Sequence, residues 1–142
     1  MSFSPQDPPF QVRFSPYAAV YFQELKDKSH DGNGSPKTGS KELTAYHAVR
    51  RVMEEIIPKF PLPPQYALTK KHGSNLKGIF RTKAGRLRIF WIASSKAKTA
   101  IVLAIGFRKE GDRNDAYSYL VRLLRSGDLD ICFEELGMKK PT

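Results

Sequence analysis

Three arginines and one tyrosine are the residues of this sequence whose types and spacing could act on a phosphodiester. Arg81, Arg88 and Arg108 each fall in a segment that alternates apolar and polar residues, and Tyr117 follows early in a helical segment. Guanidinium groups stay charged and donate paired hydrogen bonds to phosphate oxygens. They could therefore stabilise the extra charge on the non-bridging oxygens during phosphoryl transfer. Tyr117 could stack on a base, transfer a proton or belong to the core.

Positive charge is concentrated in the part of the chain that contains these arginines. Between Glu55 and Glu110 there are 12 of the 24 Lys and Arg residues and no Asp or Glu, so this stretch accounts for the formal net charge of +10. Such a surface is predicted to bind a polyanion, and nucleic acid is the common one inside cells. The further cations expected to contact RNA are Lys70, Lys71, Lys77, Lys83, Arg86 and Lys109.

Several classes of protein are disfavoured by what the sequence lacks. Three scattered histidines without an H-x-x-x-H spacing argue against a metal-dependent nuclease, and no glycine-rich phosphate loop is present. No metal or other cofactor is therefore expected, and metal-free cleavage would require RNA, whose own 2′-hydroxyl can be the nucleophile. The single Cys132 excludes an internal disulfide and is expected to pack as a small apolar residue. No signal core or membrane-spanning segment is recognisable, which predicts a cytoplasmic location.

The hydrophobic pattern predicts one α+β domain at 10–142, preceded by a flexible arm at 1–9. Period-two alternation predicts strands at 10–14, 78–83, 86–93 and 99–108, whereas helical spacing predicts helices at 16–28, 41–57 and 115–125. Ser15 and Ser40 are predicted to cap the first two helices, Asp112 and Asn114 are candidate caps for the third, and Gly127 is predicted to end it. The stretch 29–40 is predicted to be a flexible, exposed loop, and 128–142 is left unassigned. The expected fold is a small antiparallel sheet, made by the N-terminal strand and a three-stranded meander. It packs on the two N-terminal helices and is followed by a C-terminal helix.

Alternation within two of these strands predicts which face is buried. Leu87, Ile89 and Trp91 are expected to pack on the helices, which would leave Arg86, Arg88 and Phe90 on an open face. In the next strand the expected buried face is Ile101, Leu103, Ile105 and Phe107. The other face, Val102, Ala104, Gly106 and Arg108, is expected to form a concave floor that ends in a cation.

Two segments of the chain resemble the RelE/ParE superfamily of bacterial type II toxins. They are 76–92 (LKGIFRTKAGRLRIFWI) and 101–117 (IVLAIGFRKEGDRNDAY). Both are similar to a family pattern in which a basic strand is followed by a glycine and an arginine-bearing strand. A hydrophobic strand that ends in Gly-x-Arg comes next, and a tyrosine then opens the last helix. The likeness covers 10–125.

The resemblance implies a function and a set of roles. RelE-like members cut mRNA at the ribosomal decoding site, leave a 2′,3′-cyclic phosphate, use cations and a tyrosine, and are neutralised by a cognate antitoxin. Arg88, Arg108 and Tyr117 match the family positions, and Arg81 and Lys83 stand where the family has paired lysines. Charge stabilisation is implied for Arg81 and Arg88. Leaving-group protonation or phosphate clamping is implied for Arg108, and base stacking or 2′-hydroxyl activation for Tyr117.

The chain departs from the family pattern, and two other functions stay open. One lysine of the pair is replaced by Ile79 or Arg81, depending on the length of the turn, and three extra residues separate Arg108 from Tyr117. The first alternative is a ParE-like toxin that binds DNA gyrase and would not need the arginine and tyrosine set. The second is an RNA-binding module without chemistry.

Overall fold

A mixed four-stranded sheet between two layers of helix organises the fold. The computed structural model describes residues 11–59, 66–68, 70–71 and 74–141, so the arm predicted at 1–9 lies outside the described residues. The strands are β1 (Gln11–Phe14), β2 (Lys70–Lys71), β3 (Ser74–Asn75), β4 (Phe80–Ala84), β5 (Leu87–Ser94) and β6 (Thr99–Phe107). The helices are α1 (Pro16–Ser29), α2 (Lys41–Arg51), α3 (Ala116–Ser126) and α4 (Asp130–Glu135).

Strand pairing confirms the α+β class and the meander, with one correction. The order in the main sheet is β1-β6-β5-β4, with antiparallel β4–β5 and β5–β6 pairs, while β2 and β3 form a separate ribbon. However, β1 runs parallel to β6, from Gln11 opposite Thr99 to Phe14 opposite Val102. The expectation of a wholly antiparallel sheet is therefore wrong. Alternation of side chains indicates a strand, but it does not tell whether the strand runs parallel or antiparallel to its neighbour.

Side-chain caps fix where the helices begin. Ser15 Oγ accepts a hydrogen bond from Ala18 N at the start of α1, as predicted, and donates one to Leu103 O at 2.6 Å, which ties α1 to β6. Ser40 caps α2 in the same way. After α2 the chain continues as a π-helical turn, Val52–Ile56, and a 3-10 turn, Ile57–Lys59. The predicted helix at 41–57 is thus α-helical only in its first part.

Both faces of the sheet are covered, which corrects the expectation of an open face. Helices α1 and α2 pack on Leu87, Ile89 and Trp91, as predicted. Helices α3 and α4 pack on the opposite face, where Phe90 is fully buried. Along β6 the period-two assignment also fails, because Phe90 pairs with Ala104 but Trp91 pairs with Val102.

The irregularity in β6 is a bulge that changes which side chains share a face. Leu103 is the extra residue, so Leu103 and Ala104 both lie toward α3 and α4. Ile101 also lies on that side, whereas Ile105 and Phe107 pack toward α1 and α2. The predicted concave floor is therefore divided between the two faces, and most of it is core.

Gly106 permits α3 to begin against the sheet. A Cβ atom added at Gly106 would lie 3.2 Å from Ala116 Cβ and 3.3 Å from Ala116 Cα, which is tighter than ordinary van der Waals contact. Because Ala116 is the first residue of α3, this close approach determines where the following tyrosine sits relative to the strands.

Replacing Gly106 by valine is expected to lower the free energy of unfolding by about 1–3 kcal/mol, because the added methyl groups overpack the contact with Ala116. Urea unfolding of the variant beside the wild type measures this loss. Gly32→Val is the matched control, because a Cβ at Gly32 meets nothing within 4 Å. Equal stability of the two variants would contradict the close-packing account.

The C-terminal region contains elements that the sequence left unassigned. Gly127 ends α3 in the left-handed conformation at φ 83°, and the short α4 follows. Cys132 lies in α4 and is buried, and desolvation raises the pKa of its thiol, so the expectation of a packed, inert cysteine is confirmed. Among the described residues, no helix combines the length and apolar character needed to cross a bilayer.

Candidate nucleic-acid interface

The β4–β5 hairpin brings three predicted cations to one face of the sheet. Arg88 pairs with Lys83 across the hairpin, and Arg81 pairs with Phe90. Residues that pair directly in an antiparallel ladder project to the same side, so Arg81, Lys83 and Arg88 all point toward the α3 side. Arg88 lies on the side of β5 that carries Phe90, as alternation predicted, and Arg81 and Lys83 of β4 project to the same side.

Tyr117 joins Arg81 and Arg108, which come from different strands. Arg81 Nη1 donates a hydrogen bond to the Tyr117 hydroxyl oxygen at 3.0 Å. The guanidinium carbon of Arg108 lies 4.8 Å from the centre of the Tyr117 ring, in cation–π geometry. The edge of the ring meets Phe90, with 5.2 Å between the centroids. Despite the three extra residues, Tyr117 therefore reaches both arginines.

Tyr117 is a core residue with its hydroxyl directed at a cation. Its exposure is 1%, and it belongs to the cluster under α3 and α4. A ring so enclosed has no free face on which a base could stack in this conformation. The core placement that the sequence left open is the one observed, and the hydroxyl gives the residue a polar contact as well.

Asp115 fixes the start of α3 and the position of Arg108. Its carboxylate is 1% exposed, accepts hydrogen bonds from the backbone N–H groups of Lys109 and Tyr117, and lies 3.6 Å from Arg108 Nη1. Arg108 itself is 19% exposed and also lies 3.7 Å from the exposed Glu110. The sequence pattern did not identify this anchor, although an Asp immediately before the first helical residue is a capping signal that could have identified Asp115.

Arg88 is held by backbone carbonyls rather than by an acid. Its Nη1 donates to Gly85 O at 2.8 Å and to Leu87 O at 3.1 Å, both in or beside the hairpin turn. Within the described part of the chain, Arg88 Nε is buried without a hydrogen-bond acceptor and no carboxylate pairs with the side chain. A guanidinium group in these surroundings keeps its full positive charge for an external anion.

Other predicted RNA-contacting cations surround this group. Lys83 and Arg86 are exposed in or beside the hairpin, Lys109 is exposed just after β6, and Lys77 is exposed before β4. Arg86 Nε donates to Arg108 O at 3.0 Å, which links the hairpin turn to the end of β6. Lys70 and Lys71 form β2, and their side chains lie outside the description.

Taken together, these side chains can bind an anion and stabilise additional negative charge on it. Three guanidinium groups from β4, β5 and the end of β6 flank one end of the sheet, and Tyr117 and Asp115 hold two of them. Over the ranges that the structure describes, no three His, Cys, Asp or Glu side chains gather as metal ligands would.

Comparison with known proteins relates the chain to a family of toxins and to solved structures. No curated protein is significantly similar to the chain. Among solved structures, the crystal structure of the toxin–antitoxin complex RelBE2 from Mycobacterium tuberculosis matches with a TM-score of 0.48 and 19% identity, over 70% of this chain and 92% of that chain. Residues 19–139 match the model of a family described as "Toxin with endonuclease activity, of toxin-antitoxin system". The matched range includes β4, β5, β6 and α3, which carry the arginines and the tyrosine.

Proposed function

Because the chain belongs to this family of toxins with endonuclease activity from toxin–antitoxin systems, we propose that it is an endoribonuclease that cleaves mRNA without a metal ion. The toxin class and the nuclease activity, both expected from the sequence, are confirmed by the family. An endonuclease activity also favours the enzyme over the ParE-like gyrase binder and the RNA-binding module. A toxin of such a system has an antitoxin as its partner.

The main support for the proposal is that Arg81 and Arg108 both contact Tyr117. The hydrogen bond of 3.0 Å from Arg81 and the 4.8 Å stacking distance of Arg108 bring guanidinium groups from two strands to the same side chain. Arg88 lies on the face that Arg81 shares. Guanidinium groups gathered in one place offer the paired donors that phosphate oxygens accept, so this convergence supports a phosphate as the ligand.

The proposed reaction is an intramolecular phosphoryl transfer within RNA. The 2′-oxygen forms a bond to the adjacent phosphorus as it loses its proton, and the bond from phosphorus to the 5′-oxygen breaks as that oxygen gains one. The products are a 2′,3′-cyclic phosphate and a 5′-hydroxyl. Arg81 and Arg88 would stabilise the additional charge on the non-bridging oxygens, and Arg108 would clamp the phosphate or protonate the leaving oxygen.

Tyr117 is proposed to act through the arginines rather than on the substrate. Its enclosed ring and its contacts with Arg81 and Arg108 support a positioning role. Asp115 would support the same arrangement, because it holds the first turn of α3 and faces Arg108. Charges that are already in place require no free energy of reorganisation when the transition state forms. Residues that hold the arginines in position therefore raise the reaction rate.

We propose that the substrate is mRNA in the cytoplasm, because a surface dominated by cations binds single-stranded phosphate backbones without reading many bases. Cleavage on the ribosome is proposed from the resemblance to RelE-like toxins. The exposed Lys77, Lys83, Arg86 and Lys109 would extend contact along the strand, with Lys70 and Lys71 as further candidates.

The proposed function is tested with the purified chain and two RNA substrates, with and without ribosomes. With ribosomes and Mg²⁺ present, a labelled mRNA fragment is expected to be cut. Cleavage by the chain without ribosomes is expected to persist in a chelator, because arginines rather than a metal neutralise the phosphate. A matched fragment with one 2′-deoxynucleotide before the cut is expected to resist cleavage at that bond by at least about 10³-fold in either reaction, because the nucleophile is missing. Product ends are identified by mass spectrometry. Chelator-sensitive cleavage in the ribosome-free reaction, or cutting of the deoxy substrate in either reaction, would contradict the mechanism.

A further inference from the structure

One edge of β6 loses its partner strand before β6 ends. Strand β1 pairs with β6 only as far as Phe14 opposite Val102, and the chain then turns into α1. Among the described residues, no other strand takes the place of β1 beside the last part of β6. The backbone groups on this side of β6 can therefore bond to something other than a neighbouring strand.

The ladder between β5 and β6 identifies these backbone groups. Arg108 N donates to Arg86 O, and in an antiparallel pair every second residue bonds to the partner strand, so Gly106 also bonds to β5. The N–H and C=O groups of Ile105 and Phe107 consequently point the other way, toward the side that β1 has left. They present donors and acceptors next to each other, as the edge of a nucleobase does.

A small cavity lies against this edge, between α1 and α3. Its volume is about 270 Å³, and Ile105 and Phe107 line it together with Tyr21 of α1 and Tyr119 of α3. Both tyrosines are half-buried. Burial raises the pKa of both phenols, that of Tyr21 to about 12, so both hydroxyls stay protonated at neutral pH and can donate hydrogen bonds. Sites for whole small molecules are usually larger, about 300–1,000 Å³, so this cavity suits a single flat ring.

Exposed polar and cationic side chains also line the cavity, which places them at its mouth. They are Lys109, Asn114 and Arg122. The guanidinium carbon of Arg122 lies 5.9 Å from the centre of the Tyr119 ring, at the outer limit of cation–π contact. The exposed Arg122 side chain can thus turn toward a bound ring without losing a strong interaction. Asparagine amides pair with base edges, and guanidinium planes stack on bases.

We propose that this cavity binds one base of the RNA, next to the phosphate held by the arginines. The inference rests on the proposed function, because RNA is the ligand. Tyr119 lies about 200° around α3 from Tyr117, so the cavity and the contact between Tyr117 and Arg81 are on opposite sides of that helix. Lys109 lines the cavity and directly follows Arg108, which contacts Tyr117. A strand that leaves the arginines passes the end of β6 and places a neighbouring base in the cavity.

A base fits this cavity better than a peptide strand does. On the last part of β6, Ile105 and Phe107 are the residues that direct backbone groups outward, so an added strand would gain few ladder hydrogen bonds. Aromatic walls beside a cation are typical of sites where single-stranded nucleic acid stacks its bases. The enclosed ring of Tyr117 offers no face to a base, whereas the half-buried Tyr119 lines an open cavity.

The test measures how tightly the full chain binds two single strands of about twelve nucleotides, an ordinary RNA sequence and the same backbone without bases. Both carry 2′-O-methyl groups, so neither can be cut, and fluorescence anisotropy gives the two affinities. The wild type is expected to bind the strand with bases at least about tenfold more tightly. Tyr119→Leu removes an aromatic wall and is expected to reduce this ratio to about twofold or less, with the affinity for the base-free strand unchanged.

Tyr17→Leu is the matched control, because Tyr17 is also a half-buried tyrosine on a helix but does not line the cavity. It is expected to keep the wild-type ratio. Arg122→Ala is a second variant that removes an exposed side chain, and it is expected to lower the ratio at least about threefold. The ratio is insensitive to the loss of one positive charge, because both strands carry the same phosphates.

The outcomes separate this inference from the function on which it rests. A wild-type ratio near one, or a ratio that neither Tyr119→Leu nor Arg122→Ala lowers, would overturn the base site while leaving the ribonuclease intact. Weaker antitoxin binding by these variants with an unchanged ratio would assign the cavity to a peptide strand instead. Absence of cleavage of ordinary RNA by the wild type would count against the proposed function alone, since this test needs no cleavage. Should Tyr119→Leu not fold, Arg122→Ala decides.

Discussion

Replacing Arg88 by alanine is expected to lower the rate of RNA cleavage by about 10²–10³-fold, the usual effect of removing one donor that stabilises transition-state charge. Stability is expected to change by no more than about 1–2 kcal/mol, because the hydrogen bonds that the side chain makes to described residues are two, to Gly85 O and Leu87 O. Single-turnover cleavage of a labelled RNA and urea unfolding measure the two effects. In cells, the variant should no longer stop growth.

Two further variants distinguish the loss of a specific donor to the phosphate from the loss of one positive charge. Arg88→Lys keeps the charge but loses the planar pair of donors, so it is expected to recover only part of the rate. Lys96→Ala removes an exposed cation from the loop between β5 and β6 and is expected to cleave normally. A large loss of stability in Arg88→Ala, or equal loss of rate in Lys96→Ala, would show that Arg88 has a structural or merely electrostatic role.

Local sequence signals predicted the elements because these signals act over a few residues. Ser15 and Ser40 were identified as helix caps, and the turn at Gly127 ends α3 where glycine indicated. The three-stranded meander followed from alternation and short links. Each of these features depends on side chains close to one another in sequence, so the pattern alone contains the needed information.

Long-range features were not predictable in the same way. The parallel pairing of β1 with β6 joins residues almost 90 positions apart, and alternation cannot report it. The bulge at Leu103 places adjacent residues of β6 on one face, which breaks the period on which the face assignment depended. Phe90 is buried because α3 and α4 pack on it, and the sequence pattern had not predicted α4. Strand direction, the bulge and the burial of Phe90 depend on tertiary contacts, which the local pattern does not contain.

For the candidate site, the sequence identified the cations but not what holds them. The family pattern grouped Arg81, Arg88 and Arg108, and their placement around one end of the sheet agrees with that grouping. The support from Asp115 went unnoticed, because Asp112 and Asn114 were equally good caps in the sequence. Tyr117 illustrates the remaining ambiguity, since its helical spacing suited both a core and a functional residue. The structure gives it a place in the core, in contact with two arginines.

Tyr117 is the residue for which two substitutions are expected to separate stability from activity. Tyr117→Ala removes a fully buried ring and is expected to cost about 3–5 kcal/mol of unfolding free energy and to abolish cleavage. Tyr117→Phe removes only the hydroxyl that accepts from Arg81, so it is expected to cost about 1 kcal/mol and to lower kcat about tenfold. Because the ring does not reach the substrate, KM is expected to change less than about twofold.

The control for Tyr117 is Leu120→Ala, which removes a buried side chain from the same helix and the same core cluster but removes no hydroxyl that could accept a hydrogen bond from Arg81. It is expected to be destabilised yet to cleave with a normal kcat at temperatures where it is folded, because the arginines keep their positions. A raised KM for Tyr117→Phe would indicate that the tyrosine contacts RNA directly. An unchanged kcat for Tyr117→Phe would show that Arg81 needs no support from the hydroxyl, and the positioning role would then be wrong.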